Sequence, residues 1–356
     1  MSVPSQLDSA KRLARGASGN PTNRFEQIHL ERDEEWNPED DQLLRTQFLV
    51  DHSATIIAYN DSPDIGFRAS INPYRGCEHG CIYCYARPTH EYLGFSSGLD
   101  FESKIMVKTK APELLRAELA ARKWKPQSLA MSGVTDCYQP VERKLKITRG
   151  CLEVLAECRN PVGIVTKNAL VARDIDVLQE LAKHRCAAVF ISLTTLDTDL
   201  RRVMEPRTAS PRDRLDTMQK LASAGIPVGV MTAPIIPGLN DHEIPQLLKA
   251  AAEAGARTAG YVVLRLPYQQ KDLFDDWLTR HFPDRKEKVL NRIRALRGGK
   301  LYDADFKNRM SGEGIFAEQI GQMFKVACHK HGLNREHVHL TTEHFRRPPG
   351  NQLDLF

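Results

Sequence analysis

Hydrophobic and polar positions recur along the chain in a fixed order, a short apolar run followed by a longer stretch with apolar residues three or four positions apart. Six apolar runs predict strands, over residues 65–71, 128–132, 162–167, 187–194, 228–232 and 259–266. Five amphipathic stretches predict helices, over residues 112–124, 148–158, 175–183, 211–224 and 243–254. Two of these helices end in Ala-Gly, at Gly225 and Gly255, as a helix C-terminus often does.

Strands that alternate with helices predict parallel βαβ units joined by right-handed crossovers. We therefore expect an α/β fold, a partial (β/α)6 TIM-like barrel that occupies residues 46–267. In such a barrel the functional side chains lie at the carboxyl ends of the strands. This confines the search for the site to the segments that directly follow each predicted strand.

The alternation is absent from both ends of the chain. Residues 1–45 are polar, without apolar periodicity, and predict a mobile or surface-wrapping arm. Residues 268–345 contain two basic helical patterns, 277–296 and 315–331, and predict a helical C-terminal extension. Residues 346–356 begin Arg-Arg-Pro-Pro-Gly and predict a flexible tail.

Composition narrows the class of protein. The longest apolar runs, residues 187–193 and 261–264, fall far short of the roughly 18 residues that a membrane helix needs, and the N-terminus lacks the apolar core of a signal peptide. We expect a soluble, cytoplasmic protein with no membrane partner. The net charge of +5 is small, but residues 280–347 hold 15 Lys and Arg against 8 Asp and Glu. The basic surplus therefore belongs to the C-terminal extension, where a polyanion such as nucleic acid could bind.

Eight cysteines in a reducing compartment point first to metal or redox chemistry. Cys77, Cys81 and Cys84 follow the first predicted strand of the barrel with the spacing C-x3-C-x2-C. Three thiolates leave one coordination position open, which suits a four-iron cluster whose fourth iron binds a small-molecule chelate. The alternative is a structural zinc site completed by His79 or His90. The simplest role for four further cysteines is packing: Cys151, Cys158, Cys186 and Cys328.

Polar residues gather where three of the later strands end. Thr135 and Asp136 follow the second barrel strand, Lys167 ends the third and Ser192 lies near the end of the fourth. Taken singly, a Ser, Thr or Asp at a strand end usually caps the next helix. Together, above a cysteine loop, they predict a site for a polar cofactor.

The stretch Cys77-x3-Cys81-x-Tyr83-Cys84 resembles the signature of radical S-adenosylmethionine (SAM) enzymes, and the similarity covers residues 65 to 266. This resemblance implies a [4Fe–4S] cluster held by Cys77, Cys81 and Cys84. It also implies that S-adenosylmethionine binds the open iron and is cleaved by one electron to a 5′-deoxyadenosyl radical. A reductant such as flavodoxin or ferredoxin would supply that electron.

Residues 204–215 and 233–238 are similar to one branch of that superfamily, the spore photoproduct lyase-like proteins, also called DNA repair photolyases. Along the whole chain the pattern resembles an uncharacterised bacterial group within this branch. The resemblance implies DNA or another nucleic acid as substrate. It also implies that four side chains contact the cofactor: Tyr83, Thr135, Lys167 and Ser192.

The same resemblance implies a catalytic role for Tyr85, which matches a tyrosine of the lyase's hydrogen-atom relay. The lyase has its hydrogen-donating cysteine three residues before the aspartate that matches Asp136, and this chain has Gly133 there. Cys137 is near that position without being equivalent. It is therefore either a displaced hydrogen donor or a thiol packed in the core.

The last five residues, Gln-Leu-Asp-Leu-Phe, are similar at every position to the consensus peptide that binds the bacterial DNA polymerase sliding clamp. In that interpretation Leu353, Leu355 and Phe356 enter an apolar cleft and the Gln352 amide sets the register. The alternative is a fraying terminus or a strand on the protein's own surface.

The sequence as a whole predicts a radical SAM enzyme that acts on nucleic acid. Three other interpretations stay open: a radical enzyme for a protein or small-molecule substrate, a zinc- or cluster-containing non-catalytic DNA-associated adapter, and a cluster-based redox sensor.

Overall fold

A computed structural model describes residues 15–25 and 45–348 of the chain. These residues form ten strands: β1 (Gln47–Val50), β2 (Ile57–Tyr59), β3 (Ala69–Ile71), β4 (Tyr74–Arg75), β5 (Lys104–Val107), β6 (Leu129–Met131), β7 (Val162–Thr166), β8 (Ala187–Ser192), β9 (Val228–Ile235) and β10 (Thr258–Val263). The strands divide between a seven-stranded sheet and a three-stranded sheet with the order β1-β5-β4.

The seven-stranded sheet has the order β10-β9-β8-β7-β6-β3-β2. Neighbours from β3 to β10 are parallel, and only β2, paired with β3, runs antiparallel. The six parallel strands are those that the apolar runs predict, and they stand side by side in chain order. Within the described ranges β10 pairs with neither β3 nor β2, so the barrel is open between its first and last parallel strands.

Eleven α-helices accompany the strands in the described residues: α1 (Leu99–Ser103), α2 (Ala111–Ala120), α3 (Glu142–Leu145), α4 (Ile147–Cys158), α5 (Ile175–Lys183), α6 (Thr198–Met204), α7 (Pro211–Ser223), α8 (Ile244–Glu253), α9 (Gln270–His281), α10 (Pro283–Ala295) and α11 (Gly314–His331). Three short 3-10 helices lie at Arg87–Leu93, Ala169–Asp174 and Asp241–Glu243. The crossover helices α2, α4, α5, α7 and α8 match the predicted ones to within a few residues. None of the described helices is both long and apolar enough to cross a membrane.

Some boundaries differ from the prediction. The first predicted strand of the barrel, residues 65–71, shortens to β3. The single helix predicted over residues 277–296 is wrong, because α9 and α10 are separate helices that meet at Phe282. Pro283 begins the second of them, the helical position at which proline's missing N–H does least harm.

The C-terminal extension covers the free edge of β10. The backbone N–H of Val263 donates to the Met310 carbonyl at 2.8 Å, and that of Ala259 donates to Asn334 Oδ1 at 2.8 Å. Apolar residues of α11, among them Ile320 and Phe324, belong to the same buried core as the sheet. The extension therefore completes the edge of the barrel, while the domain boundary at residue 267 stays a prediction.

Candidate active site

The cysteine loop begins immediately after β4 and is shaped by glycines. Gly76 and Gly80 have φ angles of +79° and +65°, in the left-handed region that residues with a Cβ seldom adopt. A Cβ on Gly80 would lie 2.6 Å from a carboxylate oxygen of Glu102, so the side-chain-free position is also required by packing. The Cys77 N–H donates to the Phe101 carbonyl at 2.9 Å, which ties the start of the loop to α1.

A buried ion pair supports the loop from behind. Arg87, fully buried, lies 2.5 Å from Glu102 and donates to the carbonyl oxygens of Cys81 at 3.0 Å and Gly80 at 3.2 Å. Glu102 also accepts the backbone N–H groups of Gly16 and Ala17 at 3.0 and 2.8 Å. The described part of the N-terminal arm is thus joined to the cysteine loop through one carboxylate and one guanidinium.

A second set of contacts fixes the loop from the side of α3. The Glu78 backbone N–H donates to Gln139 Oε1 at 2.9 Å, and Gln139 Nε2 donates to the Gly76 carbonyl at 3.2 Å. The Glu78 carboxylate accepts from the Val141 N–H at 2.8 Å and from Arg207 at 3.1 Å. Both ends of the loop are therefore held by side chains that come from distant parts of the sequence.

A cavity of about 340 Å³ opens at the carboxyl ends of the parallel strands, where the predicted barrel places its site. Cys77, Cys81 and Cys84 all line it, and the first two are only 7% exposed. All eight cysteines of the chain are free thiols. Of the residues predicted to contact the cofactor, all four line the same cavity: Tyr83, Thr135, Lys167 and Ser192.

The thiols suit a polynuclear centre. Burial raises the pKa of Cys77 well above its usual range and that of Cys81 to about 12, so both are neutral until a metal displaces the proton. A cubane cluster binds each thiolate to a different iron atom. A zinc site needs side chains that converge on one ion, and among the described residues no group of three or more His, Cys, Asp or Glu side chains is placed to do so. Three thiols around one cavity, two of them buried and the third partly exposed, thus fit the iron-sulfur cluster.

Tyr83 and Lys167 stand together on the wall formed after β7 and β8. The Lys167 ammonium lies 5.8 Å from the centre of the Tyr83 ring. The Tyr83 hydroxyl donates to Glu205, which also accepts from the Thr194 hydroxyl at 2.6 Å and pairs with Arg214. The Glu205 carboxylate is completely buried. Its hydrogen bond to the Tyr83 hydroxyl therefore holds the Tyr83 ring in one position.

Asp136 connects the end of β7 to the cysteine loop. Its carboxylate accepts the Lys167 N–H at 2.8 Å and the Thr166 hydroxyl at 2.8 Å, and it lies 3.3 Å from His79 Nδ1. Burial alone would raise the pKa of Asp136, but the His79 ring and backbone N–H donors lower it to about 2. The carboxylate is therefore ionised and keeps the His79 side of the loop against the strand.

Thr135 and Ser192 lie on the cavity wall with their hydroxyl protons already engaged. Thr135 Oγ1 donates to the Tyr74 carbonyl at 2.6 Å, and Ser192 Oγ donates to the Ala233 carbonyl at 3.3 Å. Each hydroxyl oxygen retains lone pairs toward the cavity. These two positions can accept hydrogen bonds from a ligand but do not have a free proton to donate.

The Tyr85 hydroxyl lies beside Gly133, the position at which this chain differs from the lyase-like pattern. This hydroxyl donates to the Gly133 carbonyl at 2.7 Å. Cys137, four residues further on, is fully buried in the hydrophobic core and does not line the cavity. Its location favours packing over hydrogen donation, because a donor has to reach the cavity. Cys151, Cys158, Cys186 and Cys328 are buried in that core as well.

Several residues at the site carry no local signal in the sequence. Glu205 and Arg214 lie in the segment similar to the lyase-like branch, but only their contact with Tyr83 shows what they do. Arg265 follows β10 and lines the cavity. The tail residues predicted to bind a sliding clamp lie outside the described residues: Gln352, Leu353, Leu355 and Phe356.

The chain is similar to known proteins in sequence and in fold. Residues 71–251 match the family model described as the radical SAM superfamily. An uncharacterised protein of Mycobacterium tuberculosis is 38% identical over 232 residues, 65% of this chain and 67% of that protein. An uncharacterised protein of Methanocaldococcus jannaschii is 29% identical over 227 residues, 64% of this chain and 81% of that protein.

Solved structures of spore photoproduct lyase share the fold. The structure of that lyase complexed with dinucleoside spore photoproduct covers 80% of each chain with a TM-score of 0.55 and 16% identity. A mutant form of the same lyase with bound AdoMet and the dinucleoside covers the same share with a TM-score of 0.53. At 16% identity the likeness is one of fold.

Proposed function

The chain belongs to the radical SAM superfamily and is a radical S-adenosylmethionine enzyme, and on this basis we propose that it repairs or modifies nucleic acid, with DNA as the expected substrate. The observation that carries the proposal is the fold shared over 80% of both chains with a lyase whose structure holds a dinucleoside lesion. A cation in the cavity besides Lys167, the Arg265 guanidinium, supports it, because the substrate would bring phosphate groups.

The cofactors of the family are a [4Fe–4S] cluster and S-adenosylmethionine. In our proposal Cys77, Cys81 and Cys84 hold three irons and leave the fourth for the amino and carboxylate groups of S-adenosylmethionine. When bound, the two groups supply a 5′-deoxyadenosyl radical that takes a hydrogen atom from the substrate. The protein contributes the loop geometry described above and a cavity that holds the reactants away from bulk water.

The wall after β7 and β8 orients the cofactor in this proposal. Lys167 provides a positive charge for the methionine carboxylate, and Ser192 and Thr135 offer acceptor lone pairs. The Tyr83 ring gives an apolar face beside the cluster, fixed by its hydrogen bond to Glu205. Ser192 lies on β8 and Tyr83 on the cysteine loop, while Thr135 and Lys167 follow β6 and β7 and are held by hydrogen bonds of Thr135 Oγ1 and of the Lys167 N–H, so the site needs little rearrangement on binding.

The hydrogen-return step differs from that of the lyase. A thiol is missing at Gly133, and Cys137 is buried away from the cavity. Tyr85, with its hydroxyl at the Gly133 carbonyl, is the hydrogen-bearing side chain that faces this part of the cavity. We therefore assign Tyr85 the donor role: its O–H bond breaks as the hydrogen atom passes to the substrate radical, and the resulting tyrosyl radical is restored by an electron from the reductant and a proton from solvent. The lyase reaction itself stays outside the proposal.

Partner proteins follow from the same proposal. Radical SAM enzymes need a reductant, and flavodoxin or ferredoxin is the expected one. The sliding clamp remains a proposed partner through the tail. Arg347, near the end of the described residues, caps the C-terminus of α2 through the carbonyls of Leu119 and Ala120, both at 3.2 Å.

Deuterium transfer tests the substrate class. The anaerobically reconstituted enzyme is reduced in the presence of S-adenosylmethionine and of perdeuterated DNA, RNA or total protein. The deuterium content of the released 5′-deoxyadenosine is then measured by mass spectrometry. We expect one deuterium per molecule with DNA and none with protein. Label that comes only from protein would replace nucleic acid with the protein-substrate alternative, and release without label from any polymer would point to a small molecule.

A further inference from the structure

Arg265 occupies the open side of the barrel, just after β10. Its Nη1 lies 3.6 Å from the Met310 sulfur, and its guanidinium carbon lies 5.5 Å from the centre of the Tyr85 ring. An ion pair between Arg309 and Asp64, at 2.5 Å, spans the gap between the extension and the loop before β3. Arg265 therefore faces the cavity from between the first and last parallel strands, away from Tyr83 and Lys167.

No carboxylate within residues 15–25 and 45–348 forms an ion pair with this guanidinium, and Asp64, on which its charge acts, is already paired with Arg309. No carboxylate oxygen in those ranges lies within 4.0 Å of it, and its Nε is buried without a hydrogen-bond acceptor. Of the neighbouring arginines, Arg309 pairs with Asp64, and Arg297 donates through both terminal nitrogens to the carbonyls of Leu264 and Asn308, which leaves only its own buried Nε without an acceptor. A buried donor without an acceptor is costly, so the position is one that a ligand would complete.

The surroundings of Arg265 define what that ligand carries. Apolar side chains line the adjacent wall: Ile65, Phe67, Val134, Val262 and Met310. A guanidinium beside an apolar wall and the ring of Tyr85 suits an anion attached to a flat, weakly polar group. The planar fork of arginine matches the two free oxygens of a phosphate diester.

We propose that Arg265 binds a backbone phosphate of the nucleic-acid substrate and that the apolar wall receives the neighbouring base. This inference rests on the proposed function, and it assigns the substrate to the open side of the barrel and the cofactor to the wall after β7 and β8. Arg265 is then a substrate-binding residue that sets which nucleotide reaches Tyr85.

The test compares Arg265→Gln with Arg212→Gln in the full-length protein carrying its cluster. Arg212, on α7, has a side chain that is 90% exposed, and its substitution removes the same charge from the surface. Affinity for a fluorescent single-stranded octanucleotide is measured by anisotropy over a series of salt concentrations. We expect Arg265→Gln to weaken binding about ten-fold and to reduce the salt slope by about 0.7, the share of one phosphate contact on a single strand.

Further measurements show whether weaker binding by Arg265→Gln comes from a lost phosphate contact, from lost cofactor binding or from misfolding. S-adenosylmethionine binding, followed by equilibrium dialysis, is expected to be unchanged in Arg265→Gln, and iron content and thermal unfolding report whether the variant folds. Arg265→Lys retains the charge without the fork, so we expect it to recover the salt slope but only part of the affinity. If Arg265→Gln does not fold, the affinity of Arg265→Lys tests the inference instead.

Each possible result supports or overturns the assignment of Arg265 to a substrate phosphate. If the wild type binds the octanucleotide and Arg265→Gln binds it equally well, the inference is overturned and the proposed function stands. If Arg265→Gln loses S-adenosylmethionine instead, the arginine belongs to the cofactor and the inference is again overturned. If the wild type binds no nucleic acid at all, the proposed function itself fails, and the inference with it.

Discussion

At the scale of single residues, Glu205 shows how a buried charge can position a site without touching the reactants. It is fully buried and accepts hydrogen bonds from Tyr83, Thr194 and Thr208 besides its pair with Arg214. Burial alone would raise the pKa of Glu205, but the positive charges of Arg214 and Lys167 lower it to about 2. The carboxylate is therefore ionised at neutral pH.

That pKa predicts an acid-dependent loss of stability. A carboxylate whose pKa is lowered on folding stabilises the protein fully above its unfolded value of 4.5, and the contribution disappears as the pH falls toward 2. For Glu205 the expected loss in the free energy of unfolding is about 3 kcal/mol. Urea unfolding at a series of pH values measures this free energy.

The comparison for this prediction is between two variants. In Glu205→Gln we expect lower stability at neutral pH, because Arg214 is left unpaired, and a shallower decline below pH 4.5. Glu253→Gln, whose side chain is 68% exposed, should keep the wild-type profile. An identical acid decline in Glu205→Gln and the wild type would contradict the prediction.

The cysteine ligands make a second residue-scale prediction. Replacing Cys81 with Ala removes one of three proposed iron ligands and is expected to abolish bound iron and the cleavage of S-adenosylmethionine. Cys151→Ala is the matched control, because Cys151 is buried in the core and does not line the cavity. It should retain iron while losing some stability. Iron analysis and the absorption spectrum after anaerobic reconstitution measure the difference, and an iron-replete, active Cys81→Ala would sink the ligand assignment.

At the scale of elements, the cysteine loop depends on a segment that precedes it by about sixty residues. Gly16 lies so close to the loop that a Cβ on it would stand 1.9 Å from the Gly80 carbonyl oxygen. The N–H groups of Gly16 and Ala17 complete the hydrogen bonds of Glu102, which in turn pairs with Arg87 behind the loop. The arm therefore acts as a brace for the loop.

Two glycine variants test the brace. Gly16→Ala cannot be accommodated without moving the arm, so we expect it to lose about 1–3 kcal/mol of stability and to release iron faster to a chelator. Gly19→Ala has open space around the new Cβ and should behave as the wild type to within about 0.5 kcal/mol. Thermal unfolding and the rate of iron chelation measure both effects. Equal chelation rates in the two variants would show that the arm does not support the loop.

At the scale of the whole molecule, the basic C-terminal extension is partly structural. Arg297 is 2% exposed and donates to backbone carbonyls, and Lys286 and Arg292 pair with Asp275 and Asp241 at 2.7 and 3.3 Å. Arg292 and Arg297 thus hold the extension against the barrel, whereas Lys286 pairs within the extension. In our proposal the phosphate contact comes from Arg265 in the cavity rather than from these residues of the extension.

The tail prediction belongs to the same scale. Removing Leu355 and Phe356 is expected to abolish binding to the purified sliding clamp while leaving iron content and cofactor cleavage unchanged. A short peptide anchored by apolar side chains should bind in the micromolar range, about −8 kcal/mol, because ordering the peptide consumes part of its contact energy. Calorimetry with the full-length protein measures this, and the absence of binding by the intact chain would remove the clamp from the list of partners.

Local patterns were sufficient for much of the fold and for the family. The six parallel strands and the crossover helices follow from periodicities that a segment carries within itself, and the α/β fold class they predict is confirmed. The resemblance to radical SAM enzymes, also confirmed, rests on three cysteines within eight residues. Neighbours so near in sequence stay near in any fold, so their spacing alone indicates their chemistry.

Contacts between distant residues were decided only by the tertiary structure. Tyr83 meets Glu205 across 122 positions, and Gly16 meets Glu102 across 86. The burial of Cys137 and the unpaired state of Arg265 depend on what packs around them, which no local pattern records. The break between α9 and α10 likewise required the packing of each helix to be known. The periodicity of a segment predicts which of its faces packs against the core. Hydrogen-bond partners, burial and electrostatics depend on contacts between segments, and these contacts determine which polar residues form the site.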